Sequence, residues 1–332
     1  MERGGEVYYF NVNISGQQSP NFFRGRCGWM RRLFLFLLAV LTMVLAGCGG
    51  TGVDPNSYQN PLVSGLADPC VIAYNGTYYM SGTGDNLSYD IYTSADLVHW
   101  TKGAKIFSPA GQINVWAPDF FYNQDDGKFY LYYTVNHQVG VACSNTPDGP
   151  YTDLGVFVSD AIDADMFRDD DGSCYLYYSQ ECAVYVQPMT NPTTPKGAPQ
   201  KLLQPDQGWD NPCNEAPWMV KYNSTYYLIY SGNSANLSSY AEGFATSSGP
   251  VGPFTKYGGN PIVKATATVF GPGSGCVVVD HAGVYWHIYH QKDSTVDGWA
   301  RSVCMDKLWF DNSGVIHCQV TRNTSNPKPA TQ

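Results

Sequence analysis

The sequence predicts an all-β fold, a five-bladed β-propeller, on three observations. The 332 residues are rich in Tyr (25), Gly (34) and Pro (21), with only 14% charged, a composition of short strands joined by turns. Five segments resemble one another: "DPCVIAYNGTYYMSGT" from Asp68, "APDFFYNQDDGKFYLYYT" from Ala117, "DADMFRDDDGSCYLYYS" from Asp163, "EAPWMVKYNSTYYLIYSG" from Glu215 and "GPGSGCVVVDHAGVYWHIYH" from Gly271. Each runs from an apolar stretch through an Asn, Asp or Gly turn into an aromatic strand, a hairpin signature. Anchored on Tyr79, Tyr130, Tyr175, Tyr227 and Tyr285, the copies recur roughly every fifty residues, the period of a four-stranded blade.

Taken in order, the chain first shows Met30-Arg31-Arg32, an apolar run from Leu33 to Leu45, and the small residues Ala46 to Gly50 around Cys48. This is export-signal grammar, and the apolar run is short for a membrane span. "LAGC" at Leu45–Cys48 resembles the bacterial lipoprotein signal, so residues 1–47 are expected to be removed and Cys48 lipidated. That makes a cell-envelope lipoprotein touching the membrane only through its lipid. An uncleaved anchor or a plain secretory signal would export the domain equally, and Met30 is an alternative start. Residues 48–58 then read as a linker, 59–320 as the propeller and 321–332 as a tail.

Between the copies, "YDIYTSADLVHWTKGAKIF" and "VGVACSNTPDGPYTDLGVF" read as the outer strands of the first two blades. Trp100 and Pro150-Tyr151 are expected to pack between blades. "GWARSVCMDKLWFDNSGVIH" from Gly298 finishes the last blade, and "PLVSG" near Pro61 closes the ring. Eight cysteines follow Cys48; export permits disulfides among them, while their apolar settings suit small buried residues equally. Asn-X-Ser/Thr triplets at Asn75, Asn86, Asn223, Asn236 and Asn323 read as turn chemistry. A net charge of -9 with no basic stripe argues against nucleic acid and for an uncharged substrate.

In a propeller the innermost strand of every blade starts at one face of the central channel. The copies' first residues, Asp68, Ala117, Asp163, Glu215 and Gly271, should therefore converge, and three are carboxylates. Converging carboxylates suit glycoside hydrolysis, which needs a proton donor for the leaving oxygen and a second carboxylate opposite. A third would raise the donor's pKa and orient it. Taken singly, each could instead cap a turn or pair with an Arg.

"ADPCVI", "VWAPDFFY", "IDADMFRDDDGSCYLYYS" and "NEAPWMVKYNSTYYLIYSG" together resemble glycoside hydrolase family 43 over about residues 59–320. That resemblance implies an inverting enzyme on α-L-arabinofuranosides or β-D-xylosides of plant oligosaccharides or polysaccharides, with Asp68 as general base, Asp163 as pKa modulator and Glu215 as general acid. Asp165, two residues on and so on the same strand face, rivals Asp163. Asp169–Asp171 read as a solvated turn, and Asp119 as a structural hydrogen-bond acceptor. Trp116 should sit at the channel mouth, where stacking on sugar and plain packing are both open; Trp209 and Trp218 are weaker candidates. Arg301 falls where the family presents an Arg to substrate, with a surface Arg as the alternative. No cofactor is required. Many members carry a His after the fifth copy's "GPG", associated with calcium; Ser274 stands there, which puts a structural calcium in doubt, and of His281, His287 and His290 the last could end its strand near the channel. Two other functions remain open: a retaining fructan-active propeller, against which the Asp-Pro lacks an Asn-Asp-Pro-Asn-Gly context, and a non-catalytic glycan-binding propeller.

Overall fold

A computed structural model of the chain describes residues 54–331 and the short strand Asn11–Val12. The segment expected to be an export signal and Cys48 lie outside the described residues. Among these, every regular element is a strand, and the strands form five blades. Blade 1 is Ala67–Tyr74, Thr77–Thr83, Tyr89–Ser94 and Thr101–Phe107. Blade 2 is Val115–Asn123, Lys128–Val135, Gln138–Ser144 and Thr152–Ser159. Blade 3 is Ala161–Arg168, Cys174–Gln180 and Ala183–Asn191, with Gln200–Leu203 outside. Blade 4 is Asn214–Tyr222, Thr225–Gly232, Ala241–Ser247 and Thr255–Lys256. Blade 5 is Phe270–Val279, Tyr285–Lys292, Arg301–Phe310 and Ile316–Cys318. Neighbouring strands within each blade run antiparallel.

The ring closes as "PLVSG" suggested: Val63–Ser64 pairs with Val303 and Ser302 of blade 5. Beyond it, Ser57–Tyr58 pairs with Asn326–Pro327, so the segments read as linker and tail meet on the propeller. The buried Asn60 side chain caps this closure by bonding both the N–H and the C=O of Met305.

The core is a set of wedges between blades, because each sheet hides its faces only against its neighbours. Ile72, Tyr89 and Ile106 of blade 1 meet Phe120, Leu131 and Tyr133 of blade 2. Matching clusters join blades 2 and 3, 3 and 4, 4 and 5, and 5 and 1. Tyr151 lies in the first cluster and Trp100 against the last, the inter-blade packing expected of them. Buried tyrosines keep their hydroxyls bonded by reaching the next blade's chain, as Tyr89 does to the Trp116 carbonyl at 2.6 Å.

Each inner strand is kinked near its start. Pairing breaks between Ala67 and Cys70, Trp116 and Asp119, Ile162 and Asp165, Glu215 and Trp218, and Gly273 and Cys276. At each break one residue has left-handed backbone: Asp68 (φ 49°), Ala117 (33°), Asp163 (57°), Ala216 (49°) and Ser274 (49°). The proposed equivalence of heads is thereby corrected: Glu215 stands one residue before the kink, and the fifth head is Ser274, not Gly271. The kink's Pro neighbour was the legible signal, since Ala216-Pro217 aligns with Asp68-Pro69 and Ala117-Pro118.

These bulges also separate Asp165 from Asp163, because strict alternation fails where a residue is inserted. Two residues past the kink in blades 1, 2 and 3, the side chain bonds the next blade's chain. Cys70 Sγ accepts from Phe120 N–H at 3.2 Å, Asp119 Oδ2 from Met166 N–H at 2.9 Å, and Asp165 Oδ2 from Met219 N–H at 2.8 Å. Asp119 is thus the structural acceptor expected, and Asp165 is another, not a rival for the site. Asp169 also departs from expectation: it is buried, 2.5 Å from both Lys221 Nζ and the Tyr226 hydroxyl, and braces blade 3 on blade 4. Cys182 and Cys213 form a disulfide between the same two blades; Cys70, Cys143, Cys174, Cys276, Cys304 and Cys318 remain thiols.

Candidate active site

A second series of contacts holds the kinks. The kink N–H is received by the side chain near the end of the preceding blade's second strand: Ala117 by Thr83 (2.8 Å), Asp163 by Thr134 (3.1 Å), Ser274 by Ser231 (2.9 Å) and Asp68 by His290 Nδ1 (3.3 Å). In blade 4 the pattern changes. Ala216 N–H donates instead to Asp163 Oδ2 at 3.2 Å, and Ser179, the residue in the receiving position, keeps a buried Oγ without a partner. Asp163 therefore grips the backbone next to Glu215, at the cost of leaving a polar atom unsatisfied.

Asp68, Asp163 and Glu215 come together in a cleft of 540 Å³ that Trp116 and Arg301 also line. Arg301 Nη1 bonds Asp68 Oδ1 at 2.9 Å, and His290 Nδ1 lies 3.1 Å from the same oxygen. Arg301 is thus not a surface residue but the partner of Asp68. Burial pushes the Asp68 carboxyl up, but Arg301, His290 and Thr83 outweigh it and hold the group well below the usual carboxylate range. Glu215 goes the other way. It is raised to about 7, by burial first and then by the Asp68 charge, against the Tyr240 hydroxyl, which donates to Oε1 at 2.7 Å, and the Arg301 charge. Asp163 is raised by burial and then by Glu215 and Asp68, so Asp163 and Glu215 titrate as a pair.

Trp116 lines the cleft while its ring meets His137 edge-on at 5.2 Å. Trp209 packs on Tyr230 and Trp218 lines the channel below, so neither faces the cleft. His287 pairs at 2.5 Å with Glu242, whose other oxygen accepts from Gly275 N–H, and His281 lies against Tyr78. Of the three histidines only His290 reaches the site, as its strand-end position allowed. Thr83, Asn86, Asn114, Tyr240 and Trp299 also shape the site without having been singled out. His290 had a legible signal, standing where the other copies end in Thr83, Thr134, Ser179 and Ser231.

Below the cleft, the channel void of 30 Å³ meets Cys70, Asp119, Trp218 and Ser274, room for a water. Calcium takes six to eight oxygens. The side-chain oxygens lining the void do not supply that number: Asp119 accepts from Cys70 and Met166, Asp68 is held by Arg301 and Asp163 by Ala216 N–H, and Ser274 adds one hydroxyl.

Comparison with known proteins agrees with this geometry. The family profile described as "Glycosyl hydrolases family 43" matches residues 58–316. The chain is 28% identical to a beta-D-galactofuranosidase of Aspergillus niger, over 77% of this chain and 83% of that protein. It is 29% identical to a probable arabinan endo-1,5-alpha-L-arabinosidase A of Aspergillus flavus, over 74% and 89%. A crystal structure of a thermostable family-43 glycoside hydrolase superposes with a TM-score of 0.78 at 28% identity, covering 83% of this chain and all of that one. With its five kinked blades and converging carboxylates, the chain belongs to glycosyl hydrolases family 43.

Proposed function

We propose that the protein hydrolyses α-L-arabinofuranosidic or β-D-xylosidic bonds in plant oligosaccharides or polysaccharides with inversion, using Asp68 as general base and Glu215 as general acid. The observation that carries this reading is the opposed setting of two carboxyls in one cleft: Asp68 is paired with the Arg301 guanidinium at 2.9 Å, which favours its ionised form, while Glu215 meets only a neutral Tyr240 hydroxyl and is pushed up by burial. Inversion needs one carboxylate to take a proton from water and one carboxylic acid to give a proton to the leaving oxygen. Asp68 supplies the first. Glu215 supplies the second, and Asp163 positions it through Ala216 N–H.

Aryl α-L-arabinofuranosides, aryl β-D-xylosides, aryl β-D-galactofuranosides and linear arabinan form the test panel, with the first product's anomer followed by NMR. Inverted product from the arabinoside or xyloside is the expected result. Retained configuration would favour the fructan-type chemistry, and turnover of none would favour a glycan-binding propeller. The galactofuranoside belongs in the panel because of the Aspergillus niger relative.

The "LAGC" motif supports lipidation at Cys48, which would place the propeller outside the cytoplasm on a lipid anchor. Cys48→Ser should then release the protein from the membrane fraction; a wild-type protein found in the cytoplasm would refute the export reading.

A further inference from the structure

Lys292, the last residue of blade 5's second strand, is 1% exposed, and among the described residues it forms no ion pair. Its ammonium donates instead to two carbonyls, Asn236 at 2.6 Å and Gly298 at 2.5 Å. Gly298 N–H also donates to the Asn236 carbonyl, at 2.9 Å. These bonds knot a blade 4 loop to the blade 5 loop between residues 293 and 300. The stem of Lys292 crosses Gly271, where a Cβ would lie 2.7 Å from Cδ and 2.6 Å from the Leu237 carbonyl; this close approach, with φ +47°, explains a glycine at the start of "GPG".

Burying an ammonium is costly, and what it holds in place is one lip of the cleft. The two knotted loops contribute Ser234, Ala235, Asp293, Trp299 and Ala300 to the lining. Trp299 is 67% exposed and Val296 73%, while the Arg301 guanidinium lies 5.4 Å from the Trp299 ring centre. The guanidinium that holds Asp68 thereby also steadies an indole open to the cleft. A cleft of 540 Å³ is larger than one pentose ring requires.

We propose that Trp299 is a stacking platform for the sugar beyond the scissile bond and that Lys292 is the residue that positions it, so that the protein selects chains of sugars over single-ring glycosides. This rests on the hydrolase reading above. An indole face matches the apolar C–H face of a sugar ring, and a platform fixed in advance avoids ordering a loop on binding.

The test compares kcat and KM for aryl glycosides with those for arabino- and xylo-oligosaccharides of increasing length. Trp299→Ala should raise KM on oligosaccharides roughly tenfold, the scale of one good aromatic contact, and change the kinetics on the aryl substrates by a clearly smaller factor. Lys292→Gln, which keeps an amide donor, should raise the same KM by less, and Lys292→Met by as much as Trp299→Ala. Equal effects on both substrate classes, or none, would overturn the proposal. Should Lys292→Met not fold, Trp299→Ala and Lys292→Gln carry the test. Calorimetric binding of the same oligosaccharides to Glu215→Gln, with and without Trp299→Ala, separates this proposal from the hydrolase reading. Without turnover, weaker binding on losing Trp299 still supports the platform, and unchanged or absent binding sinks it.

Discussion

Asp163 and Asp165 share a strand and a residue type, yet one lines the cleft and the other is sealed in the scaffold. Burial raises both carboxyls. The difference lies in their neighbours. All three carboxylates accept an N–H from the next blade's inner strand, but Asp165 and its counterpart Asp119 take theirs from Met219 and Met166 in the buried core, while Asp163, on the kink, takes Ala216 N–H beside Glu215 and feels the charges of Glu215 and Asp68. One inserted residue turns the same chain from a carboxylate that fastens blades into one that organises a reaction. A carboxylate's role here follows from which groups its oxygens meet, not from its place in a motif.

The sharpest way to break this contrast is to remove acids from the two sets. Glu215→Ala should slow hydrolysis of a natural oligosaccharide by about 10²–10⁴, and an activated aryl glycoside with an acidic phenol much less, because that leaving group needs little protonation. Asp68→Ala should damage both substrates alike, since water still needs its base. Equal losses on both substrates from Glu215→Ala would exchange the roles.

On the scaffold side, Asp165→Ala leaves the buried Met219 N–H unpaired. It should cost about 1–3 kcal/mol of stability in denaturant titration while leaving the shape of the pH–rate profile unchanged. A moved basic limb would return Asp165 to the site.

The pH profile itself sharpens the comparison. With Asp68 ionised far below neutrality and Glu215 raised to about 7, kcat/KM should hold through mildly acidic pH and fall as pH rises past about 7. Because the Tyr240 hydroxyl opposes the rise of Glu215, Tyr240→Phe should move the basic limb to higher pH. Asp163→Asn should move it lower, since Glu215 would lose the partner with which it shares protons. Limbs unmoved in both variants would mean that another group titrates.

The smallest effect tests the kinks' own support. Thr134→Val removes the acceptor for Asp163 N–H, which should cost about 1 kcal/mol and shift the pH limb little. A large loss of activity would show that the second-strand residues act on the site directly.

The blade count, the hairpins and the converging acids were legible in the sequence because they rest on local chemistry repeated at a fixed period: turn residues, aromatic strands and, at three of the five kinks, a following Pro. The sequence carried less of the site. Spacing alone placed Glu215 level with Asp68 and Asp165 on the face of Asp163, and both readings failed at a bulge, which strand alternation does not foresee. That Arg301 and His290 hold Asp68, that Tyr240 meets Glu215 and that Lys292 ties down the Trp299 loop emerges from the folded chain alone. Those partners lie as far as 233 residues apart in the chain, brought together by closing the ring, and the proton affinities of the site follow from that closure through burial and neighbouring charge.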